Sequence, residues 1–536
     1  MTGAARLLEV LSAHGVEVVF GLPGVHNLAV WEALEASGIR MIGVRHEQTA
    51  VYAADGYART TGKLGVAIVT TGPGAANALG ATGEAMSCGS PVLVIATDIP
   101  STLRRPGVYR GVLHETRDQR AMFLPVTKTA FDVPSAAELP SVIDQAARQA
   151  LTAPHGPVYV GVPTDYLSAA VDNAVGGLFP TDFAANRPLT AVPDLGEALR
   201  LIEEAEKPLI WAGGGAARAD AGTAVGALAT ALSAPVITTY GSRGLVEHPL
   251  VVRGPVHAPP VGELWDDADL VIAIGTDFDG MMTQNWLQPA PKRLIAINID
   301  KADAAKNYHP DVTLVGDARE VTAALANAVP NRPFEDRVSE VNAAVRALVA
   351  ADSPEAKEFL DAVADLDVTF VADMCIPGYW MGGFHHVTRP RGLAYPVGWG
   401  TLGFGFPASL GAALAGRTVA VCGDGGFLFA CGDLATLAQE QLPVTVVLVD
   451  DGGYGMLRYD QQVAGHTVSG VDLHRPDFAM LSASFGIPAV TVDGFGPSFK
   501  DTLDVLTTAE GPNMLIVNAS LKPPVNTSPR WYRRRS

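Results

Sequence analysis

The stretch VAVCGDGGFLFACGDLATLAQEQLPVTVVLVDDGGYGMLR, residues 419–458, limits the folds open to this chain more than any other. Apolar or small residues from Val419 to Cys422 lead into Gly423-Asp424-Gly425-Gly426. A helical pattern follows, with Leu434, Leu437 and Ala438 on one face. Pro443 opens a second apolar run, Val444 to Val449, which ends at Asp450-Asp451-Gly452-Gly453-Tyr454-Gly455. This order reads as strand, turn, helix, strand, turn. Two parallel strands joined by a right-handed helical crossover bring both turns to one edge of a sheet. Asp424 and Asp451 are therefore expected close in space despite their separation in sequence. Glycines around them let backbone N–H groups approach a ligand. Carboxylates and free amides together suit a hard divalent cation bridged to a diphosphate. Two ordinary βα turns with capping aspartates are the plainer alternative.

Length then sets the scale. A chain of 536 residues exceeds one ordinary core, so roughly two to four domains are expected. The formal net charge of -18 argues against a nucleic-acid partner. The basic end, Arg530-Trp531-Tyr532-Arg533-Arg534-Arg535, reads as a solvated tail. The four cysteines, Cys88, Cys375, Cys422 and Cys431, form no Cys-x-x-Cys pair, which fits a reducing compartment without structural zinc. The N-terminus enters a helical pattern at once, without a basic-then-apolar leader, and no stretch suits a membrane span. A cytoplasmic protein is expected.

Three α/β domains, each a doubly wound parallel sheet, are expected at 1–170, 188–330 and 355–536. In the first, short apolar strands at 18–20, 66–69, 92–95 and 158–162 alternate with helical patterns. Two glycine-bearing loops follow strands there, Gly21-Leu22-Pro23-Gly24-Val25-His26-Asn27 and Gly72-Pro73-Gly74-Ala75-Ala76-Asn77. Loops at the carboxyl ends of parallel strands are where ligands bind. The second repeats the theme at 208–215, 270–275 and 294–300, but its Gly213-Gly214-Gly215 turn does not complete G-x-G-x-x-G. A charged helical stretch from Pro333 to Asp365 leads into the third.

Specific motifs lie within this frame. Arg45-His46-Glu47-x-x-Ala50, Ala54-Asp55-Gly56-Tyr57-Ala58-Arg59 and Thr71-Gly72-Pro73-Gly74-Ala75-x-Asn77 resemble the pyrimidine-binding domain of thiamine diphosphate enzymes. Gly423-Asp424-Gly425, the later Gly453-Tyr454-Gly455-Met456-Leu457-Arg458 and the segment Gly398-Trp399-Gly400-Thr401-Leu402-Gly403-Phe404-Gly405-Phe406-Pro407-Ala408 resemble the diphosphate-binding domain. The chain is similar to the acetolactate synthase, pyruvate oxidase and benzoylformate decarboxylase group, and most to acetolactate synthase large subunits. Asp451 departs from that pattern, which carries Asn there.

The resemblance implies the following roles. Glu47 is the catalytic carboxylate that hydrogen-bonds the pyrimidine ring nitrogen. Gly74, Asn77, Gly423, Gly425, Gly426, Tyr454, Gly455 and Met456 line the cofactor. The Gly400 carbonyl accepts the exocyclic amine, and Leu402 wedges the cofactor into its bent form, with core packing as the plain reading of that leucine. Asp424, Asp451 and the Gly453 carbonyl ligate Mg²⁺. His26 or Asn27 orients a substrate carboxylate or relays protons, and His114 stands where acetolactate synthases carry a glutamine facing the reactive carbon. Thr70 and Thr71 stand where decarboxylases carry histidines, which leans towards carboligation. The expected activity is decarboxylation of a 2-oxo acid, pyruvate first, with transfer of the acyl unit to a second carbonyl. A non-ligating decarboxylase, a C–C lyase or an inactive cofactor-binding paralogue are the alternatives. In relatives the central domain holds FAD in some members, ADP in others and nothing in many; the incomplete glycine turn weighs against FAD. A homodimer or homotetramer with sites between subunits is implied.

Overall fold

The computed structural model describes residues 1–105, 107–171 and 191–524. The basic end at 530–535 and residues 188–190, where the second domain was expected to open, lie outside the described residues. Three sheets are present, and every strand pairing within them is parallel.

The first sheet comprises β1 (Val18–Gly21), β2 (Arg40–Gly43), β3 (Gly65–Val69), β4 (Val92–Asp98), β5 (Thr129–Asp132) and β6 (Val158–Pro163), in the order β2-β1-β3-β4-β6-β5. The second comprises β7 (Pro208–Ala212), β8 (Val236–Thr238), β9 (Leu270–Ile274), β10 (Leu294–Asn298) and β11 (Val312–Val315), in the order β11-β10-β9-β7-β8. The third comprises β12 (Thr369–Ala372), β13 (Leu393–Ala394), β14 (Thr418–Gly423), β15 (Val444–Asp450), β16 (Ala489–Asp493) and β17 (Asn513–Asn518), in the order β13-β12-β14-β15-β17-β16. Interior strands such as β3, β4, β9 and β15 are buried at every residue, because helices cover both faces. Their unbroken Val, Ile, Leu and Ala runs follow from that burial. The edge strands β2, β5, β11 and β16 are partly exposed and mix polar with apolar residues. They gave no such run to read.

Counted within their own domains, the first and third sheets share one strand order. Each has a crevice beyond the carboxyl ends of its first and third strands, where the order reverses. The helix Glu47–Thr61 follows the second strand of the first sheet, and the helix Gly405–Ala412 follows the second strand of the third. These two equivalent helices pack on one another. A Cβ on Gly56 would lie 2.0 Å from the Ala408 carbonyl oxygen, and one on Gly411 would lie 1.8 Å from that of Ala53. Backbone meets backbone, which only glycine permits. One apolar core therefore runs from Tyr52 and Ala53 through Phe404, Phe406 and Phe427, with the Tyr52 and Phe404 rings edge to face at 5.6 Å. This seam joins the two domains whose crevices carry the motifs.

Among the described residues no helix is long and apolar enough to cross a membrane. All four cysteines are free.

Candidate active site

At the crevice of the first domain, Glu47 is the first residue of its helix, behind the N-cap His46, whose Nδ1 accepts the Gln48 amide. Its carboxylate is buried, and Oε2 accepts a 3.0 Å hydrogen bond from Asn77 Nδ2. Oε1 lies 3.0 Å from the point where a Cβ on Gly74 would stand, and the Thr70 methyl lies 2.6 Å from that point. Any larger residue at 74 would push Glu47 out of place. A Cβ on Gly24 would also strike Thr70, at 2.6 Å from its hydroxyl. Thr70 thus links Glu47 to the Gly24–Asn27 loop.

In that loop the side chain of Asn27 serves the turn. Its Oδ1 accepts the Gly24 amide at 2.7 Å, and its Nδ2 donates to the Leu22 carbonyl at 3.2 Å. His26 is different. It is buried, its Nε2 finds no partner among the described residues, and its ring meets that of His114 edge-on at 5.2 Å. Burial first, and the neighbouring His114 second, hold the His26 imidazole below its ordinary value. His114 has φ 66, a left-handed conformation unusual for a residue other than glycine, and its carbonyl oxygen lies 2.4 Å from where a Cβ on Gly72 would stand. His114 Nδ1 and Thr70 Oγ1 are also without partners among the described residues. Three uncommitted polar atoms thus lie on three segments gathered around Thr70, Gly72 and Gly74, the last of which abuts Glu47. The sequence pointed to the histidines one by one, but their pairing depends on a fold that brings residues 26 and 114 together.

At the crevice of the third domain, β14 and β15 run in register with Gly423 beside Val449, so the turns that follow are neighbours. Asp424 is buried and its Oδ1 has no partner among the described residues; Asp451 Oδ1 is in the same state. Burial, then the charges of Asp451 and Asp450, push the Asp424 carboxyl up to about 7. Asp451 is likewise raised, by burial above all, against the opposing pull of Arg458. Arg475 is taken by Asp450 at 2.5 Å, and Arg458 reaches no nearer than 3.9 Å to Asp451 Oδ1. Two facing carboxylates, each with an oxygen that accepts no hydrogen bond and with only Arg458 nearby at 3.9 Å, fit a divalent ion. No group of three or more His, Cys, Asp or Glu residues suited to a metal occurs among the described residues. The protein's two carboxylates and a carbonyl would leave positions on the ion for diphosphate oxygens.

The glycines here are required by close approach. A Cβ on Gly455 would lie 2.0 Å from Asp451 Oδ2, and one on Gly425 would lie 2.8 Å from the Tyr454 ring and 3.1 Å from the Gly453 carbonyl oxygen. One on Gly426 would lie 2.8 Å from Asp373 Oδ2. Asp373, at the end of β12, is fully buried, and its carboxylate accepts the amides of Met374, Gly403 and Phe404. Burial pushes it up to about 6. It fastens the loop that carries Gly400, whose φ is 68, and Leu402. Leu402 is 37% exposed, so it is not a core residue and its apolar side chain is available to a ligand. Met456 is partly buried and packs against the core. Asp373 escaped the sequence reading, which offered no motif around a lone aspartate. Trp380 and His385, upstream of Leu402 in the sequence, are committed to packing: Trp380 donates to the Lys522 carbonyl, and His385 lies edge-on to Phe370.

The Gly213–Gly215 turn of the central sheet packs against Gly275 and borders a cavity of about 760 Å³. None of Glu47, Leu402, Asp424 and Asp451 lines that cavity.

Comparison with known proteins finds similarity in each of the three domains. Residues 1–122 match the family model of the thiamine pyrophosphate enzyme N-terminal TPP binding domain, 195–325 that of the central domain, and 375–517 that of the C-terminal TPP binding domain. A probable 2-ketoarginine decarboxylase of Pseudomonas aeruginosa is 36% identical over 507 residues, covering 91% of this chain and 88% of the relative. A probable acetolactate synthase large subunit of Methanocaldococcus jannaschii is 31% identical over 519 residues, covering 91% and 87%. An acetolactate synthase large subunit of Parasynechococcus marenigrum is 33% identical over 530 residues, covering 92% and 83%.

Proposed function

From the premise that this chain belongs to the thiamine pyrophosphate enzymes, as a thiamine diphosphate-dependent 2-oxo acid enzyme of the acetolactate synthase-like group, we propose that it decarboxylates its substrate and protonates the carbon that has lost CO2. The observation that carries this reading is the His26–His114 pair beside Glu47 and Thr70, with a partnerless nitrogen on each ring. A decarboxylase that releases an aldehyde needs a proton donor at that carbon, and imidazole is the side chain that gains and loses a proton near neutral pH. The sequence leaned towards carboligation because Thr70 and Thr71 stand where histidines were looked for. His26 and His114 come from two other loops, and the edge-on meeting of their rings supports decarboxylation.

In this reading Glu47 would hold or release a proton at Oε1, the oxygen that Asn77 does not occupy, and would receive the pyrimidine end of the cofactor there. Asp424, Asp451 and the Gly453 carbonyl would hold Mg²⁺, and Leu402 would offer its exposed apolar side chain to the cofactor. Asn77 and Gly74 keep Glu47 aimed, and Gly400 lies on the loop that Asp373 fastens. Thiamine diphosphate, when bound, supplies the electron sink that lets CO2 leave. Thr70 Oγ1 and the two imidazoles receive the substrate carboxylate before it departs. A homodimeric or homotetrameric assembly in the cytoplasm belongs to the same proposal.

Carboligation is the second reading, favoured by the similarity to acetolactate synthases. Purified protein with thiamine diphosphate and Mg²⁺ is given pyruvate or 2-ketoarginine, the substrate named for the P. aeruginosa relative, and products are identified by mass. The expected result is the aldehyde, with its release lowered about 100-fold or more in His26→Ala and His114→Ala. Acetolactate or another acyloin as the main product, unaffected by either change, would replace the first reading with the second.

A further inference from the structure

Two buried carboxylates cross the seam between the first and third domains, and each grips the backbone beside the other domain's cofactor residue. Asp433 lies in the turn that follows Asp424–Phe427 and is 1% exposed. Its Oδ1 accepts the amide of Arg45 at 2.7 Å, and its Oδ2 accepts the hydroxyl of Thr49 at 2.6 Å. Arg45 and Thr49 flank Glu47 on either side. The Arg45 guanidinium is turned elsewhere, to the Gly43 carbonyl, Thr436 and Gln439, so at Arg45 it is the main chain that Asp433 holds, and at Thr49 the hydroxyl.

Glu84, on the helix Leu79–Ser87 of the first domain, has no exposed surface. Its Oε2 accepts the hydroxyl of Thr401 at 3.0 Å and its amide at 3.4 Å. Its Oε1 accepts Arg59 Nη2 at 3.2 Å and Cys88 Sγ at 3.3 Å. Arg59 already serves Asp55, so one guanidinium faces two buried carboxylates, and the Thr401 donors carry part of what Glu84 requires. Thr401 stands between Gly400 and Leu402. The loop around it has left-handed glycines at 398, 400 and 403, with φ of 105, 68 and 78, and so has little stiffness of its own. Leu402 must be fixed from outside. Next to Glu84, a Cβ on Gly83 would lie 1.5 Å from the Trp399 ring, so the same helix also seats the residue before Gly400.

We propose that Asp433 and Glu84 are reciprocal positioning residues: the third domain sets Glu47 through Asp433, and the first domain sets the Gly400–Leu402 loop through Glu84. The inference rests on the reading of Glu47 and Leu402 as cofactor residues. The two clamps act on different parts of the reaction. Glu84 governs the seat of the cofactor, whereas Asp433 governs the aim of the proton-sharing carboxylate.

The test compares Glu84→Gln, Thr401→Val, Thr401→Ser and Asp433→Asn in the full chain. Cofactor affinity with Mg²⁺ is measured by calorimetry, kcat by CO2 release from pyruvate or 2-ketoarginine at saturating cofactor, and the melting of the cofactor-free protein alongside. Glu84→Gln and Thr401→Val are expected to raise the cofactor Kd about tenfold or more with kcat largely kept, and Thr401→Ser to restore it. Asp433→Asn is expected to lower kcat about tenfold or more with Kd little changed. The proposal is overturned if all the variants alter only the melting temperature, or if the two clamps move Kd and kcat in the same proportion. If the wild type binds cofactor and the variants bind and turn over equally well, the clamps fail and the site stands. If the wild type itself binds none, both fail.

Discussion

Replacing Gly455 with alanine probes the metal end of the site through a single methyl group. An alanine Cβ at 455 would lie 2.0 Å from Asp451 Oδ2 and 2.9 Å from its Cγ. Ordinary contact begins near 3.4 Å, so the carboxylate must retreat by about 1.4 Å. Oxygen ligands sit about 2.0–2.1 Å from Mg²⁺, and a site tolerates departures of only about 0.2 Å. Asp451 would therefore cease to be a ligand. Gly455 opens the helix Gly455–Val463 and its φ is not in the left-handed region, so alanine strains no backbone there and slightly favours the helix. Folding stability should hold while metal-dependent binding fails. The expected loss is about 10- to 100-fold in cofactor affinity at a fixed Mg²⁺ concentration, or about 1.4–2.8 kcal/mol. Calorimetric titration of the cofactor with Mg²⁺ measures it, with Gly432→Ala as the control, since nothing lies within 4 Å of a Cβ at 432. Asp451→Ala should lose as much, and the double variant little more. Affinity of Gly455→Ala within twofold of the wild type would refute the placement of Asp451 on the metal.

Two further predictions concern the fold. Gly411→Ala sets a methyl 1.8 Å from the Ala53 carbonyl oxygen, a clash with main chain that no rotamer relieves, and should cost about 3 kcal/mol in urea unfolding; Gly80→Ala, with open space around it, should cost nothing. His257 and His385 are held by burial at about 3 and about 4, below the ordinary 6.5. Because these folded-state values are depressed, the unfolded chain takes up the protons first, and the contribution of each is intact above pH 6.5 and lost as pH falls through the folded value, at about 1.4 kcal/mol per pH unit. His385→Leu should therefore lose less stability than the wild type between pH 7 and pH 4. The difference between the two is the quantity to read, because the raised Asp373 titrates with the opposite sign. Parallel pH curves for the two proteins would refute it.

Much of this architecture was legible where burial on both faces of a parallel sheet forces an unbroken apolar run, as in β4 and β15. The turns after β14 and β15 were readable together because a right-handed crossover leaves them one geometry, and Asp424 and Asp451 do face one another. Edge strands such as β2 and β16 were not legible, since one side meets water and their composition blends with loops. Nor was the repeated strand order of the first and third sheets, which is carried by topology and by the glycine contacts at Gly56 and Gly411 rather than by recurring residues. Within the site, Glu47 could be found from its motif. Asp373, Glu84 and Asp433 could not, because each acts through backbone amides or hydroxyls far away in sequence, and a carboxylate that grips main chain needs no particular partner residue. Asn27 drew notice for its neighbours, but its side chain turned out to close its own loop.

The most direct test of the central claim is CO2 release from a panel of 2-oxo acids, including pyruvate and 2-ketoarginine, by purified protein with thiamine diphosphate and Mg²⁺, beside Glu47→Gln. The account predicts that at least one acid is decarboxylated, that omitting either addition abolishes the reaction, and that Glu47→Gln loses about 100-fold or more. Release of CO2 by Glu47→Gln at the wild-type rate, or none from any acid by a wild type that binds the cofactor, would contradict it.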